Sequence, residues 1–313
     1  MSATVRRLLF IALTFTAAAA AGCGGSAGTD ELLVPLPPDP PLLATVDLTA
    51  AKERLGLETD ADPTAPQGDA GSEDLRLLFA AGLVLPHLQR PESDLPISEA
   101  LDAERIEAAV TAGLRDEGQL TVVRTEQSAD EVLEALEREG YKRDGDLVRT
   151  DESLFKVVYA AAAERNGVLL LGGSAKAVRK GLNAEDGGAG PARDLLDELE
   201  GTVRVAASAT GSGCLRGLGG GDRLDPPGGE LIMRVKGNSD PGATPLGGGQ
   251  EVERPLTRGV RFEEPEADGG RLRIPFSYDP GVAGVSPLGL VTGDLPASAF
   301  YRCAGGGSDP PGG

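Results

Sequence analysis

The sequence predicts an α+β fold in which antiparallel sheets carry helices packed on one face, arranged as two units. Three observations point there. Between Gln119 and Asn183 a strand pattern, a helix, two hairpins and a second helix follow one another, the order of a strand layer with helices laid on it. The run "AEDGGAG", Ala184 to Gly190, breaks that block before a second set of alternating segments begins. The pairs Asp144-Gly145, Asn166-Gly167 and Asp268-Gly269 sit between apolar runs, where tight hairpin turns need residues that accept positive φ.

The elements follow in chain order. "LLATVDL", Leu42 to Leu48, reads as the first strand and the acidic stretch Glu58 to Asp74 as a loop. "LLFAAGLVLP", Leu77 to Pro86, reads as buried core, too short to span a bilayer. In "LDAERIEAAVTAGL" the residues Ile106, Val110 and Leu114 recur every four positions behind Asp102, which predicts an amphipathic helix with an N-cap. "QLTVVRT" is a strand. Ser128 and Glu131 then have the spacing of a capping box ahead of Val132, Leu133 and Leu136, and Gly140 closes that helix. Hairpins are expected in "YKRDGDLVR" and "LFKVVYAAAAERNGVLLLGG", followed by a short helix capped by Ser174. In the second unit Pro191 opens a helix with Ala192, Leu195, Leu196 and Leu199 on one side, and "TVRVAASAT", "ELIMRV", "GVRFEE" and "RLRIPFSY" supply strands.

The amino terminus reads as an address. Arg6 and Arg7 precede an apolar core, Leu8 to Thr16, and a small-residue run, the order of a secretory signal. Its end, Ala20-Ala21-Gly22-Cys23, resembles the lipobox of bacterial lipoproteins, with Ala20 where that family usually has leucine. The resemblance implies cleavage before Cys23, acylation of its sulfur, and a lipid-anchored protein on the extracytoplasmic face of the cell membrane. The expected organisation is a signal peptide over 1–22, a flexible tether over 23–41, domains over 42–185 and 186–303, and a disordered tail over 304–313. The strand and helix order of 119–183 also resembles that of uncharacterised exported proteins of high-GC bacteria, a likeness that implies no chemistry.

Composition narrows the partners. The chain carries 49 acidic and 30 basic residues, and losing Arg6 and Arg7 with the leader takes the formal charge from −19 to −21. Such a chain repels nucleic acid and anionic headgroups. With Cys23 assigned to lipid, Cys214 and Cys303 remain, and an even pair in an exported protein is expected to form a disulfide.

None of the catalytic or ligand-binding patterns in the sequence is complete. Gly24 to Gly28 fits G-x-S-x-G around Ser26, but the strand and helix that motif needs are not predicted beside it. Ser153-Leu154-Phe155-Lys156 fits S-x-x-K without K-T-G or S-D-N companions. His87 is the only histidine and lies between Leu85 and Leu88, so it reads as structural. Asp60, Asp62, Asp69, Glu73 and Asp74 crowd one loop but lack the glycine order of a calcium hand. Lys176, Arg179 and Lys180 follow a strand-to-helix turn that could take an anion, without a phosphate-loop pattern. The expectation is a non-enzymatic envelope protein that binds a partner or ligand, with no cofactor and no metal. The alternative is a cell-envelope hydrolase using Ser153 or His87.

Overall fold

The computed structural model describes residues 27–54, 56–58, 60–61, 81–89, 95–152, 158–185, 187–208, 215–223, 227–236, 259–279 and 286–291. Cys23, Ser26, Ser153, Cys214, Cys303 and most of the acidic loop lie outside them.

The described residues form one antiparallel sheet of thirteen strands, not two helix-backed units. Its strands are β1 (Leu42–Asp47), β2 (Ile106–Leu114), β3 (Gly118–Thr125), β4 (Lys142–Asp144), β5 (Leu147–Arg149), β6 (Ala161–Arg165), β7 (Val168–Gly172), β8 (Val203–Ser208), β9 (Leu215–Arg223), β10 (Gly228–Val235), β11 (Val260–Phe262), β12 (Glu266–Asp268) and β13 (Arg271–Tyr278). They run in the order β11-β13-β10-β9-β8-β1-β2-β3-β7-β6-β5-β4, with β12 also on β13. The first strand is the keystone. Thr45 of β1 faces Val110 of β2 on one side and Arg204 of β8 on the other, so ladder hydrogen bonds join strands from both sides of residue 185.

Helices cover the sheet, among them α1 (Ala27–Leu33), α2 (Leu48–Arg54), α3 (Pro96–Ala100), α4 (Ala129–Arg138), α5 (Ala175–Asn183) and α6 (Pro191–Leu196). None of these is long and apolar enough to cross a membrane. They lie on both faces, which corrects the expectation of one. Leu32 and Leu33 of α1, Val178 of α5 and Leu195 of α6 pack on Leu43, Val110, Val122 and Leu170. On the opposite face Leu48 of α2, Ile97 of α3 and Leu133 of α4 pack with Val46, Val123, Leu171 and Val205. A strand buried on both faces has no polar side, so its alternation vanishes from the sequence.

The clearest correction follows from this. Residues 106–114, expected as a helix, are β2. Ile106 and Val110 belong to cores on opposite faces of the sheet, and a bulge between Ile106 and Ala108 shifts the register. The four-residue spacing thus never formed one stripe. Asp102 caps only a three-residue 3-10 turn, and its side chain makes no capping bond.

Other elements form where their residues demand. Asn166 (φ 51°) and Gly167 (φ 81°) turn β6 into β7, the paired positive φ of a type I′ turn. Ser174 Oγ accepts from the Ala177 N–H at 3.2 Å and starts α5. At α4, Ser128 stands at the N-cap but its hydroxyl caps nothing, so the expected capping box is not made.

Two further elements went unforeseen. Residues 27–33, read as tether, form α1, with Leu32, Leu33 and the following Leu36 fully buried. Strand β9, "LRGLGGGDR", is glycine-rich because neighbours come close. A Cβ on Gly221 would lie 1.9 Å from the Glu200 carbonyl oxygen, and one on Gly229 would lie 2.0 Å from that of Gly221.

Candidate functional site

At the end of the sheet where β1 begins, β2 ends and β3 begins, a cleft of about 480 Å³ opens. Leu42, Leu83, Pro86 and Val158 supply its hydrocarbon wall, and Gly113, Gly118 and Gly173 leave backbone exposed along it. Among the described residues its polar side chains are Thr111 and Gln119, and no charged side chain lines it.

Thr111 links the sheet to the segment that roofs the cleft. Its hydroxyl donates to the Val84 carbonyl at 2.7 Å. It also lies 2.7 Å from the hydroxyl of Thr121, its partner across β2 and β3. A hydroxyl has one proton to give, so with Thr111 committed to Val84, Thr121 is the donor to Thr111.

Two rings stand behind the wall. His87 follows Pro86, Tyr159 follows Val158, and the rings meet edge to face with centroids 5.8 Å apart. His87 is 3% exposed, and neither ring nitrogen has a hydrogen-bond partner among the described residues. Burial lowers its pKa to about 4, because an imidazolium there would lose water without gaining an anion. His87 is therefore a neutral core ring at pH 7, with no carboxylate orienting it and no described serine bonded to it. Burial also raises the pKa of Tyr159.

The cations of α5 do not converge on an open anion site. Lys176 and Lys180 both bind the Glu117 carboxylate, at 2.9 and 2.8 Å, while Arg179 binds Asp144 at 2.9 Å. The two lysines lower the Glu117 pKa to about 2. These cations instead form a clasp that fastens the β2–β3 turn to α5, strengthened by Ser174 Oγ donating to the Glu117 carbonyl at 2.9 Å. Among the described residues no group of three or more His, Cys, Asp or Glu could hold a metal. Asp60 is described and exposed.

Two buried charged groups, Arg204 and Asp222, have no counterpart in the sequence reading. Arg204, 3% exposed, donates to Thr29 at 2.9 Å and to Thr45 at 3.3 Å, pinning α1 to the middle of the sheet. Burial lowers its pKa. Asp222 accepts from Ser286 at 2.6 Å and from the Tyr278 hydroxyl. The only signal available for Arg204 was a charge at an inward position of an otherwise apolar strand.

No family model matches the chain, and no curated protein sequence does. Among solved structures, crystal forms of TP0453 align with it. Form III has a TM-score of 0.42 and 10% identity over 80% of this chain and 95% of that one. Form IV has 0.38 and 10% over 79% and 92%, and form I has 0.39 and 11% over 78% and 90%. Scores and identities this low transfer no property to the present chain, which stands on its own residues.

Proposed function

We propose that this chain is a non-enzymatic binding or interaction protein of the bacterial cell envelope, held at the extracytoplasmic face of the membrane by acyl chains on Cys23. The observation that carries the reading is Gly22-Cys23 at the end of the leader, with three residues between that cysteine and α1. Acyl chains contribute about 0.8 kcal/mol per buried methylene, so two or three make a durable anchor. The four residue steps from Cys23 to Ala27 span at most roughly 14 Å, and α1 is fixed to the sheet by Leu32, Leu33 and Arg204. The folded part is therefore held close to the bilayer, on a leash shorter than the expected tether. Binding is supported by the cleft, whose polar lining among the described residues is a hydroxyl, an amide and backbone. We include a Cys214–Cys303 disulfide in this reading, since the envelope is an oxidising compartment.

Fractionation of cells expressing the full chain or Cys23→Ser tests it. The wild type is expected in the membrane fraction and the variant in the soluble fraction. A variant that stays with the membrane would remove Cys23 as the anchor.

A further inference from the structure

We propose that the cleft at the end of the sheet binds an uncharged, mainly apolar molecule carrying one small hydrogen-bonding group, such as a long-chain alcohol. The proposal deepens the binding reading above and rests on it for the cleft's role. Its geometry does not depend on Cys23.

Size comes first. At about 480 Å³ the cleft falls within the range of roughly 300 to 1,000 Å³ usual for small-molecule sites. Shape comes from the glycines. A Cβ on Gly173 would find Gln119 at 3.5 Å, and one on Gly118 would reach Gly173 at 4.0 Å, so these positions leave room that any larger residue would occupy.

Charge decides the class of ligand. Leu42, Leu83, Pro86 and Val158 offer only hydrocarbon, and among the described residues no lysine or arginine lines the cleft. An ionised ligand would lose water there and find no counter-charge, a cost that a neutral apolar one does not meet. Lys176 and Lys180 of α5 are no substitute, because they are already bound to Glu117. The polar handle is Gln119 together with Thr111, whose one remaining oxygen lone pair can accept. Just behind Pro86 and Val158, the ring nitrogens of His87 are buried without partners among the described residues, as groups satisfied by an ordered water are.

Photolabelling of the full chain tests the proposal, using a long-chain alcohol bearing a diazirine and, in parallel, the carboxylate of the same chain length. Label from the alcohol is expected on the tryptic peptides 106–115, 116–124 and 157–165, which contain Thr111, Gln119 and Val158. The carboxylate is expected to label them roughly tenfold less, a difference of about 1.4 kcal/mol. Gly173→Leu fills the cleft and is expected to reduce the alcohol signal roughly tenfold. If that variant loses its circular dichroism spectrum, Val158→Phe serves in its place. Val34→Ser, at an exposed apolar residue elsewhere, should leave labelling unchanged. Cys23→Ser should label at the same peptides, so failure of the anchor would leave this proposal standing. Label on other peptides, equal labelling by alcohol and carboxylate, no effect of the filling variants, or loss of label in Cys23→Ser would each overturn it.

Discussion

Thr111 and Thr121 face each other across β2 and β3 with their hydroxyl oxygens 2.7 Å apart, and Thr111 hands its own proton to the Val84 carbonyl. One side chain thus ties the ladder to residues 81–89. Thr111→Val keeps the shape and leaves the Val84 carbonyl without that donor. A loss of about 1 to 3 kcal/mol is expected, the cost of stranding a buried acceptor. Urea denaturation measures it, and an unchanged midpoint would show that the bond contributes nothing.

His87 makes stability depend on pH in a defined window. The free imidazole titrates near 6.5 and the buried one at about 4, so the unfolded chain takes up the proton first. Above pH 6.5 the residue adds no pH dependence. Stability then falls as pH drops from 6.5 to 4, by about 3 kcal/mol in all, and the contribution is flat below that. His87→Phe should remove this part of the slope, read as the wild-type and variant difference at pH 7 and pH 4.5. Parallel slopes would mean that His87 is protonated in the folded protein.

Gly221 is expected to tolerate no side chain. A Cβ there would sit 1.9 Å from the Glu200 carbonyl oxygen, and backbone must move to relieve it. Gly221→Ala should cost about 3 kcal/mol or prevent folding. Gly269→Ala is the contrast, since a Cβ finds open space there and only the positive φ of 53° resists it. Its cost should be about 1 kcal/mol. Thermal unfolding of both variants compares them.

The two remaining cysteines give a chemical prediction. Mass analysis of unreduced tryptic peptides should find Cys214 joined to Cys303. Closing a loop of roughly 90 residues in the unfolded chain stabilises the fold by about 4 to 5 kcal/mol in the entropy model. Free thiols at both positions in protein taken directly from the envelope would contradict the pairing.

Local chemistry was legible in the sequence, and the assembly of the sheet was not. Asn166-Gly167 and Ser174 announce their turn and cap through backbone needs that act over a few residues. Residues 106–114 mislead because their environment is set by α1 on one face and by residues around Val84 and Ile97 on the other, from distant parts of the chain. The same holds for β9, where glycine has low strand propensity but the approach of Glu200 requires it. The cleft was equally hidden: Leu42, Leu83, Thr111, Val158 and Gly173 come from five separate segments. His87 read as structural, but its partner Tyr159 had no local sign.

Metabolic labelling with an alkyne fatty acid reads acylation of Cys23 without intermediary. Label is expected on the wild-type chain and none on Cys23→Ser at equal expression. Label retained in Cys23→Ser, or absent from the wild type, would contradict it.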